Sequence, residues 1–425
     1  MDRQNLTSRI AAVGGIIFFC VMALEVVIMI SPFAFFFYSV FSPFFNFLGQ
    51  HAATRWATRF FLPHMILPPT LFLQAVRVAG SVLFVVGFLA FTVCALQVYL
   101  GKIFHWGIAS RGLYRYLRHP QYLSLALWGL GMAILWPRLI VLATLSLMLV
   151  LYYFLARDEE RRMLNQHGAS YEQYLNTTGR FLPRALERPF NSLTDRLLPA
   201  QSARLVVVPV LIVTLVMGTG FLLRAVTLAS LPLAARGNLT LVPILPEDGP
   251  LEGQVLNGLL NRAQSGEISF LQPGKAYLGY VMPPDYIMQG MIADTGGHFH
   301  LFKQHHTVAL ISDWVLHPFA HLRRPPAVQM AAMHQADPNL ARRHHCPVGL
   351  DRPEMDCNTC TVKRVILLEV NQGHPGPNSG ESLLALSATR TPVGFVDLDA
   401  QNGHLLQARK VTPATAWKDV PTPEI

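Results

Sequence analysis

Charged residues are scarce in this chain of 425 residues, where Asp, Glu, Lys and Arg make up 14% and hydrophobic residues 52%. The scarcity is uneven. Residues 10–227 contain long uncharged runs, whereas residues 236–425 have the composition of an ordinary water-soluble domain. So little charge in the first half excludes a uniformly soluble protein. A helix that crosses a bilayer needs about 20 apolar residues, and the first half offers several such stretches.

Cysteine is also sparse, with five residues in the chain. Cys20 and Cys94 lie in apolar runs and are expected to be inert core residues. Cys346, Cys357 and Cys360 lie close together beside histidines, which leaves open either a disulfide with one remaining thiol or a zinc site. A second cysteine pair at standard spacing is missing, and so is the CxxCH pattern of haem attachment. No metal ligand is therefore assigned.

Apolar runs predict a multi-pass α-helical membrane protein with about five transmembrane helices, at residues 10–30, 78–101, 123–136, 139–156 and 205–223. The third and fourth form a tight helical hairpin that turns at "WPR". The stretch 31–49 is aromatic and contains two prolines, so we expect an interfacial or re-entrant element there, with a sixth span as the alternative. No small-residue cleavage site follows the first run, which is expected to remain as an anchor.

Basic residues predict the orientation of these spans. Four lie in segment 102–118 and eight arginines lie in segment 157–204. Because loops rich in Lys and Arg stay on the cytoplasmic side, both segments are expected in the cytoplasm. The last span then leads to an extracytoplasmic domain. These clusters account for most of the net charge of +9, so the charge implies no nucleic-acid partner.

The second half has the pattern of a mainly β domain. Runs such as "AYLGYVM" and "RVILLEV" are typical of strands, and Asn402-Gly403 predicts a hairpin turn. We therefore divide the chain into a membrane domain at 1–203, a transmembrane helix at 204–228 and the extracytoplasmic domain at 236–425. Segment 184–203 is interpreted as a polar connector and 411–425 as a loose tail. The sequence names no protein partner for the outer domain.

Polar residues crowd the start of the third span, in "GLYRYLRHPQY" at 112–122. Proline disfavours a helical residue before it and suits the first position of a helix. Pro120 is therefore expected to begin the helix, with His119 extended at its mouth. The unpaired N–H groups of a first helical turn bind anions. Tyr114, Tyr116 and Tyr122 offer aromatic faces that attract a cation.

Two acidic residues close the other arm of the hairpin. At about 1.5 Å of rise per residue, Glu159 and Glu160 are expected to return to the level of His119. Carboxylates near the C-terminal end of a helix are disfavoured by the helix dipole, so a cation should offset them. Two interpretations remain open: Arg161 and Arg162 supply the cation, or a bound ligand that carries an ammonium and a sulfonium does.

The ordered set of motifs from residue 112 to residue 183 resembles one membrane methyltransferase family. "GLY" at 112–114, "RHPQY" at 118–122 and the pair Glu159-Glu160 are followed by "HG" at 167–168, Tyr171, Tyr174 and "RFLP" at 180–183. In this order they are similar to the isoprenylcysteine carboxyl methyltransferases and bacterial phospholipid methyltransferases. The resemblance does not extend to the second half of the chain.

The resemblance implies that the cofactor is S-adenosylmethionine. The candidate cofactor-binding residues implied by the matching positions are Tyr114, Arg118, His119, Pro120, Gln121, Tyr122, Glu159 and Glu160. Family members that act on prenylcysteine have an arginine slightly upstream of the glutamates as a substrate contact. Leu155 occupies that place here, so Arg157 is the nearest candidate for the role.

The sequence thus predicts methyl transfer from S-adenosylmethionine to an oxygen, sulfur or nitrogen of a small lipophilic or lipid-linked acceptor at the cytoplasmic membrane face. Two alternatives remain open. One is a reductase of the sterol type, which uses a related Arg-His motif to hold a nicotinamide cofactor. The other is a non-catalytic membrane anchor that serves a metal- or redox-sensing outer domain.

Overall fold

A computed structural model gives the architecture. It describes residues 20–21, 23–37, 47–48, 51, 53–62, 70–104, 111–197, 200–244, 252–282, 362–371, 383–386 and 388–410. The predicted zinc or disulfide segment at 346–360, the tail 411–425 and the beginning of the first predicted span lie outside these residues. The described chain forms two compact units. The first takes its residues from 1–44, 83–133 and 140–218, and the second from 45–82, 134–139 and 219–425.

The described helices follow the apolar pattern closely. In chain order they are α1 (Ala23–Phe37), α2 (Leu71–Ile103), α3 (Pro120–Leu135), α4 (Leu139–His167), α5 (Ala169–Thr177), α6 (Arg184–Leu197), α7 (Gln201–Ser230) and α8 (Glu252–Gln264). Within the described residues, three helices are long and apolar enough to cross a membrane: α2, α4 and α7. The shorter apolar helices α1 and α3 coincide with two further predicted spans. The count of five spans stays a prediction.

One predicted boundary is wrong. Helix α1 does not end at residue 30 but continues through residue 37, so the first part of the predicted interfacial stretch prolongs the helix. Residues 38–46 lie outside the described part. Segment 184–203, interpreted as a polar connector, contains regular structure: Arg184–Leu197 forms the amphipathic helix α6, and α7 begins at Gln201.

Close packing joins α2 to α3 in the first unit. Gly87 lets the backbone of α3 approach, since a Cβ at this position would lie 2.9 Å from the carbonyl oxygen of Ser124 and closer still to the backbone of Trp128. The Trp128 ring packs against Phe33 of α1, with 4.4 Å between ring centroids, and against Phe88 of α2 at 5.1 Å. This crossing fixes where α3 begins relative to its neighbours.

The second unit contains a six-stranded sheet. Its strands are β1 (Ala234–Arg236), β2 (Leu239–Pro243), β3 (Ala276–Met282), β4 (Val362–Asn371), β5 (Thr389–Asp399) and β6 (Leu405–Lys410), in that spatial order. Only the pair β2–β3 is parallel among these strands, and α8 makes the crossover between them. Strands β5 and β6 form the predicted hairpin, with Gly403 at φ 67° in its turn.

Both faces of this sheet are covered, which explains its near-continuous apolar strands. Val255 and Leu259 of α8 pack on one face, together with Leu241 and Val365. On the other face, Tyr280 and Ile366 belong to a second cluster that also contains Leu383 and Leu384. Val242 of β2 also packs in the cluster on this second face. The prediction of a separate, mainly β region is confirmed for the described residues.

Candidate active site

The approach to α3 is held by backbone pairing to the segment that follows α5. Leu117 forms an isolated parallel bridge with Gly179. The N–H of Arg118 donates to the Gly179 carbonyl at 2.8 Å, and the N–H of His119 donates to the Arg180 carbonyl at 3.1 Å. Helix α3 then begins at Pro120, as the sequence predicts. His119 is therefore fixed at the mouth of the helix.

His119 lies between the two glutamates of α4. Its Nδ1 is 3.4 Å from Glu159 Oε2, its Nε2 is 3.4 Å from Glu160 Oε1, and its side chain is 5% exposed. Burial disfavours the imidazolium, but the nearby carboxylates outweigh it and raise the pKa of His119 above 6.5. The arrangement therefore favours a positive charge at the helix mouth.

Glu159 contacts α3 through a tyrosine. The Tyr122 hydroxyl donates to Glu159 Oε2 at 3.2 Å. The ring of Tyr122 stacks on His119 at 5.4 Å between centroids and on Tyr152 at 4.8 Å. The Glu159 side chain remains 45% exposed, so it is open to a further partner. Glu159 thus combines a fixed position with free hydrogen-bonding capacity.

Glu160 is the buried member of the acidic pair. Arg118 Nε donates to Glu160 Oε1 at 2.7 Å, and Arg180 donates to both oxygens, with Nη2 at 2.6 Å from Oε2. Burial disfavours the Arg180 guanidinium, but its bonds to Glu160 outweigh that cost and raise its pKa. Arg118 also donates to the carbonyls of Leu175 and Thr178, at 3.1 and 2.6 Å. Glu160 is therefore a structural centre that ties three chain segments together.

Further polar contacts fix the loops around this centre. The Tyr174 hydroxyl donates to the carbonyl of Tyr114 at 2.6 Å. Glu187 of α6 accepts backbone N–H bonds from Arg180, Phe181 and Leu182, at 2.8, 2.7 and 3.0 Å. These contacts hold the "RFLP" segment against the mouth of α3.

Two buried polar atoms near the helix mouth have no hydrogen-bond partner among the described residues. They are Tyr114 Oη and Gln121 Nε2. A buried polar group without a partner is costly, and a polar ligand bound beside α3 would satisfy these groups. The first-turn N–H groups of α3 add donors at the same place.

The remaining predicted residues have other partners. Arg157 donates to the Tyr153 hydroxyl at 2.9 Å. Arg161 and Arg162 pair with Asp158, at 2.6 and 3.1 Å, rather than with the glutamates. The first interpretation of the acidic pair is therefore wrong for Glu160, whose counter-charges are Arg118 and Arg180.

The sequence did not predict the roles of Arg180, Tyr152 and Tyr174. Arg180 and Tyr174 do belong to the ordered set of motifs, since Arg180 begins "RFLP" and Tyr174 precedes it. Each acts through a contact that only the folded chain creates. Among the residues that the structure describes, no three His, Cys, Asp or Glu side chains are grouped so as to hold a metal ion.

The described residues define the class of protein. It is a helical protein with helices that are able to cross a membrane. A charged, partly buried site lies where the two arms of a helical hairpin meet. Residues 73–170 match the phospholipid methyltransferase family. This stretch contains α3, the acidic pair and Arg157, and the resemblance inferred from the motifs is confirmed there. The rest of the chain lies outside the match.

A similar protein is also named as a methyltransferase. The chain is 36% identical over 70 residues to the protein-S-isoprenylcysteine O-methyltransferase of Schizosaccharomyces pombe. The alignment covers 16% of this chain and 29% of that protein, so the chain spans less than a third of the relative's length. No solved structure matches the chain.

Proposed function

We propose that this protein is a membrane methyltransferase that uses S-adenosylmethionine and acts on a small lipophilic or lipid-linked molecule. One observation carries the proposal: the mouth of α3 and the acidic pair of α4 meet through His119, with 3.4 Å from its two nitrogens to Glu159 and Glu160. The match of residues 73–170 to a methyltransferase family supports the same function.

The donor set fits S-adenosylmethionine. Its amino-acid part needs acceptors for an ammonium and donors for a carboxylate. Glu159 supplies the acceptors, since nearly half of its side chain is exposed. The first-turn amides of α3 supply the donors, beside the positive charge of His119. The unpartnered Tyr114 hydroxyl and Gln121 amide add polar contacts. When bound, the cofactor supplies an electrophilic methyl group on a positively charged sulfur.

The protein's own contribution is orientation and exclusion of water. The rings of Tyr122 and Tyr152 stack on each other and form an aromatic wall that attracts a cation, and His119 stacks on Tyr122. Glu160, with its two arginines, holds His119 and the 178–182 segment in place without facing solvent. Alignment of the reacting atoms is the largest contribution that such a site makes to methyl transfer, and a dry site strengthens its electrostatics.

The acceptor enters from the lipid in this proposal. The site lies at the ends of the apolar helices α3 and α4, so an acceptor with a hydrocarbon part has access from the bilayer. The Schizosaccharomyces pombe relative is named for isoprenylcysteine, which makes a prenylated thioether one candidate. Arg157 remains the candidate contact for an acceptor carboxylate, although its described partner is Tyr153.

The proposal places the site at the cytoplasmic face of the cell membrane and the 236–425 domain on the opposite side. Its support is the density of Lys and Arg in segments 102–118 and 157–204. No nucleic-acid partner is part of the proposal.

A binding and turnover experiment tests the function. The purified full-length protein in lipid nanodiscs is titrated with S-adenosylmethionine by calorimetry. It is then incubated with methyl-labelled S-adenosylmethionine and either membrane lipids or a prenylcysteine analogue. Glu159→Gln should weaken cofactor binding about tenfold or more, because a hydrogen bond to a charged group contributes about 1.5–3 kcal/mol. The matched control Asp158→Asn should leave binding unchanged, since Asp158 pairs with Arg161 and Arg162 at the surface.

The same preparation separates the alternatives. Binding of NADPH in place of S-adenosylmethionine would favour the reductase. Binding of neither would favour a non-catalytic anchor. Neither the family match nor the similar protein from Schizosaccharomyces pombe supports these two alternatives.

A further inference from the structure

A cavity of about 500 Å³ lies between the polar face of α6 and two neighbouring segments, one with Arg118 before α3 and one with Thr178 after α5. The side chains of Arg184, Arg188 and Arg196 line it from α6. Together with Ser192 they follow one another at four-residue intervals, which places them along one ridge of the helix. The cavity is outside the stretch that matches the methyltransferase family, apart from Arg118.

The positive charge of this cavity is not neutralised by its own walls. Arg118 is committed to Glu160 and two carbonyls. Glu187, also a lining residue, already accepts three backbone N–H bonds through its two oxygens. Arg184, Arg188 and Arg196 form no ion pair with any residue that the structure describes. Like charges four residues apart on a helix destabilise it, so an anion in the cavity would relieve a repulsion built into α6.

The opposite face of α6 points to the source of that anion. Leu186, Phe190, Leu193 and Leu197 form an apolar stripe at helical spacing, and each is more than half exposed. The helix lies in the chain between α4 and α7, two helices that are able to cross a membrane. An amphipathic helix with arginines on its polar face and an exposed apolar stripe lies in the membrane interface and favours anionic lipids.

We infer that the arginine ridge of α6 binds a phosphate group, and that the headgroup of an anionic membrane phospholipid supplies it. Guanidinium groups match the oxygens of a phosphate in a bidentate manner, and Asn191 and Ser192 line the same cavity with further donors. The inference does not rest on methyl transfer, because binding is measured without a methyl donor.

Lipid retention tests this inference. The full-length protein is reconstituted in nanodiscs that contain equal amounts of phosphatidylglycerol and phosphatidylcholine. It is then extracted into detergent, and its bound lipids are counted by native mass spectrometry. The wild type should retain phosphatidylglycerol at least tenfold over phosphatidylcholine. The triple variant Arg184→Gln, Arg188→Gln, Arg196→Gln should lose this preference. The matched control Arg115→Gln, Arg161→Gln, Arg162→Gln, which removes the same charge from exposed positions, should keep it.

Two additions keep the outcome decisive. Ser192→Glu puts a carboxylate on the ridge without removing an arginine, and it should abolish the preference even where the triple variant does not fold. Calorimetry with inorganic phosphate identifies the source: phosphate binding without lipid preference supports a phosphate site but overturns the lipid headgroup as its ligand. The inference is overturned altogether if neither phosphate nor phosphatidylglycerol binds, or if the control variant loses retention as fully as the triple variant.

Discussion

The carboxylate of Glu160 lies between two guanidinium groups and has little contact with solvent. Its side chain is 9% exposed, that of Arg118 is 10% exposed, and that of Arg180 is 29% exposed. Taking one partner out of such a buried group leaves the others unpaired in a medium that solvates them poorly. Each residue of this triad therefore depends on the other two.

Glu160→Gln should for this reason destabilise the protein by about 3 kcal/mol, the lower end of the range for breaking a buried ion pair. The lower end applies because Arg180 is partly exposed. Thermal unfolding in nanodiscs measures the effect. Asp158→Asn is the control, since exposed pairs contribute little. Equal midpoints for the two variants would contradict the structural role assigned to Glu160.

The charge of His119 leads to a prediction about pH. The folded protein raises the pKa of His119 above 6.5, so folding favours the protonated imidazole. Its contribution to stability is then fully present below about pH 6.5 and is lost as the pH rises through the raised value. The difference in unfolding free energy between wild type and His119→Gln should therefore shrink from pH 6 to pH 9. A difference that grows with pH would mean that His119 is neutral in the folded state.

At the scale of single residues, the sequence predicted that His119 and the acidic pair of α4 lie close together. It did not predict which residues stabilise this contact. The rise of a helix fixes where Glu159 returns relative to His119, so that contact follows from counting residues. The residue that neutralises Glu160 cannot be found by counting in this way. Arg161 and Arg162 fall on the face of α4 that contains Asp158, whereas Arg180 reaches Glu160 only because the segment after α5 pairs with residues 117–119.

At the scale of elements, the crossing of α2 and α3 depends on one missing side chain. Gly87→Ala would force its Cβ into the backbone of α3 at Ser124 and Trp128. Since backbone cannot move aside as a side chain does, we expect a loss of about 1–3 kcal/mol, as for other overpacked positions. The mouth of α3 should shift as well. Thermal unfolding and S-adenosylmethionine affinity together measure the two effects.

Gly218→Ala in α7 is the matched control for this substitution. Nothing described lies within 4 Å of a Cβ at Gly218, so the change should be neutral or slightly stabilising, by up to about 1 kcal/mol from helix propensity. If both glycine variants behave alike, close packing at Gly87 is not what positions α3.

Elements differed in how well the sequence predicted them, for a physical reason. Strands β3 and β4 are buried on both faces, so their apolar runs are visible in the sequence. Helix α6 has more polar than apolar residues, and composition alone suggested a connector. Its apolar residues at 186, 190, 193 and 197 have the helical period, and this period, rather than the composition, would have predicted it.

At the scale of the whole molecule, the basic segments predict which ends of the helices face the cytoplasm. Labelling with a membrane-impermeant maleimide tests this prediction. In a background without the five native cysteines, Arg161→Cys in α4 should react only after the cells are permeabilised. Gln401→Cys, in the β5–β6 turn, should react in intact cells. Both native side chains are exposed, so access of the reagent depends only on the side of the membrane.

In the opposite topology, the eight arginines of segment 157–204 would have to cross the bilayer. Labelling of both positions in intact cells, or of Arg161→Cys alone, would therefore overturn the predicted orientation. It would also move the proposed cofactor site away from the compartment where S-adenosylmethionine is made.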